Sequence, residues 1–178
     1  FAVMAAAPQH VFQLLTKRHG RMRSLLSSDT FRRAVGIQIV RDGESGWREE
    51  GRHSVPSHWP LPNVWLGVSV ENQQWADIRI PALLDTPAAV RWLSCEPLLG
   101  PVDVSFWFED DVAECTCTRY VVDYSDPERF HPSNVDREDN PGCPAHHPLH
   151  WVVAGGESGH GARPMHPEWA RSLRDQCA

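Results

Sequence analysis

The stretch Trp151–Gly159, WVVAGGESG, decides how the rest of the chain is read. A short apolar run opens into Gly155 and Gly156, followed by a carboxylate, a hydroxyl and a further glycine. Glycine stands where backbone must take positive φ or pass very close to another group. A buried strand ending in such a turn places Glu157 and Ser158 at its carboxyl end, where α/β proteins bind ligands. The expectation is a parallel-sheet α/β fold with its site at the strand ends.

Three more stretches repeat the pattern. His10–Leu15, HVFQLL, lands on Thr16, Lys17 and Arg18. Asn63–Val70, NVWLGVSV, ends on Glu71 and Asn72, and Val90–Ser94, VRWLS, ends on Cys95, Glu96 and Pro97. Helical patterns alternate with them: Phe1–Ala7, Arg21–Leu26, Asp29–Val35 with Asp29 as N-cap, and Gln73–Leu84, interrupted or restarted at Pro81. Pro167 suits the first position of a last helix, in which Trp169, Leu173 and Cys177 recur at helical spacing. Two stretches break the alternation. Arg41–Pro62, rich in glycine and proline, reads as a surface loop. Glu109–His150 is acidic, Pro-rich and almost without periodicity, and reads as an insertion that is functional or held by something.

Strand and helix in alternation predict a parallel sheet with right-handed crossovers. The fold expected is α/β, a partial (β/α) barrel of parallel strands, TIM-like, forming a single domain over residues 1–178 with the irregular insertion at 109–150. In such a barrel the polar strand ends share one face, and that face is the active site. Both ends of the chain look cut, FAVMAAAP resembling the last turns of a helix, so a fragment of a longer α/β protein is expected.

Composition limits the functions. At 178 residues, 41% apolar and 22% charged, the chain has the make-up of a soluble globular domain. No apolar run approaches a membrane span, and no signal peptide is visible, so the cytoplasm is expected. A net charge of −6 argues against a surface for nucleic acid. A small-molecule or nucleotide-like substrate is the expected partner. Five cysteines in this context point to thiols or metal ligands rather than a disulfide framework.

Each candidate site has a functional and a structural reading. Gly155, Gly156, Glu157 and Ser158 either cradle the polar end of a nucleotide-like ligand through backbone N–H groups, or form a tight turn. Glu71 and Glu96 either act as acceptors or general acid/base groups at the barrel mouth, or cap helices and pair with arginine. Lys17 and Arg18 either bind a carboxylate or phosphate on the ligand, or make a solvated turn, and Ser69 belongs to the same rim. Arg163 is a second anion-binding candidate or the partner of Glu157. Cys95, with no basic neighbour to lower its pKa, reads as a buried structural thiol. Cys115, Cys117 and Cys143 with His146 or His147 either form a zinc site pinning the insertion, or are free. Trp65, Trp92, Trp151 and Trp169 read as core, while Trp47, Trp59 and Trp107 are free for ligand contact.

LLTKR, WLGVSVEN, WLSCEPLLGPVD and WVVAGGESGHGARPMHPEWARSLRDQC closely resemble successive blocks of a phage and bacterial family, the Gp-thirty-seven/Gp-sixty-eight family. Its full-length members resemble radical S-adenosylmethionine barrels. The resemblance implies an enzyme using S-adenosylmethionine and an iron–sulfur cluster, with an N-terminal cysteine cluster upstream of Phe1. No three cysteines here have the spacing such a cluster needs. The rival expectation is a non-enzymatic phage accessory protein that binds a nucleotide or a protein partner. A zinc hydrolase is a third, weakened by histidines that fall in the insertion rather than at the strand ends.

Overall fold

A computed structural model describes residues 1–42, 58–108 and 149–177. The fold is mixed α/β, with a four-stranded, all-parallel sheet in the order β1-β2-β3-β4. In chain order the elements are α1 (Ala2–Ala6), β1 (Phe12–Thr16), α2 (His19–Leu26), α3 (Asp29–Asp42), β2 (Val64–Ser69), α4 (Gln73–Leu84), β3 (Val90–Cys95), β4 (Trp151–Ala154) and α5 (Pro167–Gln176). The sheet is open, with β1 and β4 as its edges, and the described strands form no closed cylinder.

Register gives the sheet two unlike faces. Pairings such as Leu14 with Leu66 and Leu93 with Val152 align Phe12, Leu14, Val64, Leu66, Val68, Leu93, Cys95 and Val152 on one face. These join Leu26, Ala76, Ile80, Leu83 and Leu173 of the helices in one core. The alternate residues point the other way: Gln13 and Leu15, then Trp65, Gly67 and Ser69, then Trp92 and Ser94, then Trp151. None of them belongs to that core. Among the described residues the helices contribute to the core on the first face.

Aromatic packing fills the second face. Trp92 and Trp151 stack with centroids 4.7 Å apart and planes at 7°, and Trp65 meets Trp151 edge-on at 6.4 Å. Gly67 is required by this arrangement, since a Cβ there would stand 2.7 Å from Cδ2 and 2.8 Å from Cζ2 of Trp92.

Local signals explain the helices. Ser28, not Asp29, caps α3: its Oγ accepts from the Phe31 N–H at 3.3 Å, while Asp29 is the first helical residue. This helix continues through Asp42, seven residues past its expected end at Val35 and into the stretch from Arg41 expected to be loop. Asn72 caps α4 by accepting from the Trp75 N–H. That helix runs unbroken through Pro81, which gives up only the N–H bond its ring forbids. At its other end the buried Arg91 guanidinium donates to the carbonyls of Thr86 at 3.0 Å and Leu83 at 3.4 Å, a cation where the helix dipole favours one. Trp59, expected to be free, instead packs between Phe1 and Phe31 and donates from Nε1 to Leu26 O at 3.0 Å. Trp107 lies in a single 3-10 turn against the core. Trp47 and the greater part of the 109–150 insertion lie outside the described residues. Among the described residues no helix is long and apolar enough to cross a membrane.

Candidate functional site

The carboxyl ends of β1 and β2 meet at one side chain. Glu71, two residues beyond β2, is only 7% exposed. Its Oε1 lies 2.5 Å from Lys17 Nζ, just past the end of β1. Its Oε2 accepts from Arg79 Nη1 at 2.9 Å, and the same Nη1 donates to Ser69 O at 2.7 Å. A carboxylate so enclosed is costly unless paired. Burial pushes its pKa up, but the Lys17 hydrogen bond, its own backbone N–H and the charges of Arg79 and Lys17 outweigh that. The net shift is downward, and Glu71 is held ionised.

Arg79 sits on the second turn of α4, 5% exposed, with its guanidinium 4.0 Å above the Trp75 ring centroid. Its Nε has no hydrogen-bond partner among the described residues. Sequence reasoning passed over this residue. The signal was present, however: an arginine inside Ile78–Leu84, otherwise wholly apolar, must find a partner if the helix is buried.

The chain leaving β3 laces the neighbouring strand ends together. Leu99 N–H donates to Glu71 O and Leu98 N–H to Gly155 O, each at 2.8 Å, while Gly155 N–H donates to Cys95 O at 3.2 Å. Ser69 and Ser94 are register partners, both 3% exposed, on the face opposite the helix-side core. Glu96 is exposed and lies against Gly155, where a Cβ would come within 2.7 Å of its Oε1. A side chain at 155 would therefore displace the end of the exposed Glu96.

Glu157 is engaged in its own loop. Arg163 donates from Nε to Oε2 at 2.8 Å, from Nη2 to Oε1 at 2.7 Å, and from its backbone N–H to Oε2 at 2.8 Å. Hydrogen bonding from the Arg163 side chain, then from its backbone, holds the Glu157 pKa down at about 2. Gly159 and Gly161, with φ of 100° and 78°, turn the chain between the two partners. Among the described residues nothing bonds Glu157 to Glu71 or Glu96; its partner is Arg163, as one of the two sequence readings had it.

Lys17 and Glu71 thus form one bonded cluster with Arg79, which Ser69 joins through its main-chain carbonyl. Glu96 and Gly155 touch, and the backbone bonds above tie them to it. Glu157 and Arg163 form a separate clip, with the exposed Ser158 beside it, and a Cβ added at Gly156 would stand 3.5 Å from Met165 Cβ. Burial, then the nearby Cys177, Glu71 and Glu96, pushes the Cys95 thiol up to about 12. Cys95 is protonated and inert at neutral pH. Cys115, Cys117, Cys143 and His146 lie outside the described residues. Among the described residues no three or more His, Cys, Asp or Glu side chains group as metal ligands.

No curated protein and no solved structure matches the chain. One family model does, and it spans residues 1–178. The chain belongs to that family, DUF5131, described as a protein of unknown function.

Proposed function

We propose that the strand-end rim binds a nucleotide-like ligand, and that the chain is a partial (β/α) barrel similar to radical S-adenosylmethionine enzymes of the phage Gp-thirty-seven/Gp-sixty-eight kind. The observation that carries this is Glu71, an ionised carboxylate buried at the end of β2 between Lys17 and Arg79. A carboxylate oxygen has two lone pairs, so each oxygen keeps capacity to accept from a ligand hydroxyl or amine. Lys17, largely exposed, has further donors for a carboxylate or phosphate. The orphaned Arg79 Nε is a buried donor beside them. Ser69 supplies a hydroxyl, and Gly155, Gly156 and Ser158 supply the floor of the turn. Arg163 shapes that turn by holding Glu157, and Glu96 stands at its edge as the candidate proton-transfer group.

S-adenosylmethionine suits such a rim, with an amino group and hydroxyls for the carboxylate and a carboxylate for Lys17. When bound, it supplies an activated sulfonium. An iron–sulfur cluster does not suit the described residues. Cluster binding takes thiolates, and the described chain offers Cys177 and a Cys95 whose thiol is protonated. No radical step is therefore assigned to the described residues. Cys115, Cys117, Cys143 and His146 remain the proposed ligands of a structural zinc, testable by metal analysis of the purified protein.

Calorimetric titration with S-adenosylmethionine tests the rim. Saturable binding is expected, weakened about tenfold by Lys17→Gln through loss of one charge-assisted bond. Glu71→Gln should weaken it similarly. If S-adenosylmethionine, S-adenosylhomocysteine and adenosine all fail to bind the folded protein, the reading falls. The accessory-protein reading, with a macromolecular partner on the same rim, then takes its place.

A further inference from the structure

A cavity opens between β1 and α2. Its volume is about 320 Å³, and its walls include Leu14, Met22, Leu26, Phe31 and Leu66. That volume is in the range of small-molecule sites, which are mostly apolar with a few polar groups fixing orientation. Here the polar groups are Thr16, whose hydroxyl accepts from the Arg18 N–H at 2.9 Å, and Arg18 and Arg21, both exposed, which places the two guanidiniums at the opening.

Their pairing state separates them from their neighbours. Lys17 is held by Glu71, and Arg23 by Asp85 at 3.0 Å. Neither Arg18 nor Arg21 has an ion pair among the described residues, although both lie between Lys17 and Arg23 in the chain. Two unneutralised guanidiniums at the mouth of an apolar cavity match an apolar body with one anionic head. Guanidinium binds carboxylate or phosphate through paired, charge-assisted hydrogen bonds.

We infer that the cavity between β1 and α2 binds an amphipathic anion, its chain among Leu14, Met22 and Leu66 and its carboxylate or phosphate on Arg18 and Arg21. Its lining shares no residue with the Lys17–Glu71–Arg79 cluster.

Titration with decanoate, decyl phosphate and decanol tests it on the whole chain. Saturable binding of one decanoate or decyl phosphate per chain is expected, and the tighter of the two identifies the head group. Decanol should bind at least about tenfold more weakly, as should either anion to the Arg18→Gln/Arg21→Gln double variant, since two charge-assisted bonds are lost. Both arginines are exposed, so the variant should melt as the parent does. Met22→Trp, which fills the cavity, should abolish binding of all three ligands. Absence of saturable anion binding overturns the inference, as does a double variant that binds decanoate like the parent.

Discussion

Trp92 lies directly on Gly67, the residue beside it in the sheet, so that no side chain fits at position 67 while the indole keeps its place. The same indole is stacked on Trp151, so it has no free side toward which to move. Gly67→Ala should destabilise the protein by about 1–3 kcal/mol, the usual cost of overpacking. Denaturant unfolding measures it. A near-UV circular dichroism change should accompany the loss, because the stacked pair is disturbed.

Position 155 should respond in the opposite way. The atom that blocks a Cβ there is the end of the Glu96 side chain, which is exposed and can swing aside. Gly155→Ala should therefore leave the melting temperature nearly unchanged while displacing Glu96. A fall in ligand binding or activity without a fall in stability would place Glu96 in the function of the rim.

Glu71 should make stability depend on acid. Its folded pKa is depressed, so its contribution is complete above the ordinary glutamate range and is lost as pH falls from that range through the folded value. Glu71→Gln should flatten the pH dependence of the unfolding free energy over that window. Removing the partner is harsher: Arg79→Met leaves a buried carboxylate with Lys17 alone, at a cost of about 3 kcal/mol at neutral pH.

The Glu157 clip gives a titration rather than a stability effect. Carbon-detected NMR should find its carboxyl titrating near 2 in the parent protein. In Arg163→Gln the midpoint should return toward the ordinary glutamate range, because the side-chain hydrogen bonds that lower it are gone. An unchanged midpoint would mean that the pair does not persist in solution.

Much of this fold was legible because hydrophobic runs of strand length alternate with helical spacing. NVWLGVSV and VRWLS became β2 and β3 within a residue or two. The N-cap of α3 was misplaced by one position because serine and aspartate stand side by side, and either can cap. Trp59 was misread because its neighbourhood is rich in proline and glycine, whereas its packing comes from Phe1 and Phe31, distant in sequence. At the rim, Glu71 and Lys17 were legible from their places at strand ends. Arg79 was not singled out, because its link to Glu71 depends on how α4 leans back over the strand it follows. For Glu157 the sequence offered two partners in effect, solvent or ligand on one side and Arg163 on the other, and the turn that brings Arg163 to it passes through Gly159 and Gly161, both at positive φ.

Strand order also sets a timetable for assembly. β2 and β3 are joined by the shortest connection in the sheet, whereas β1 reaches β2 across residues 17–63 and β4 reaches β3 across residues 96–150. Closing a longer loop costs more entropy before any contact repays it. The central pair with α4 should therefore form first and act as the template, with the outer strands arriving on either flank. Pulse-labelled amide protection appearing in β2 and β3 ahead of β4 is the expected trace. The indole stack across β3 and β4 would then be a late event, marking the moment when the sheet is complete.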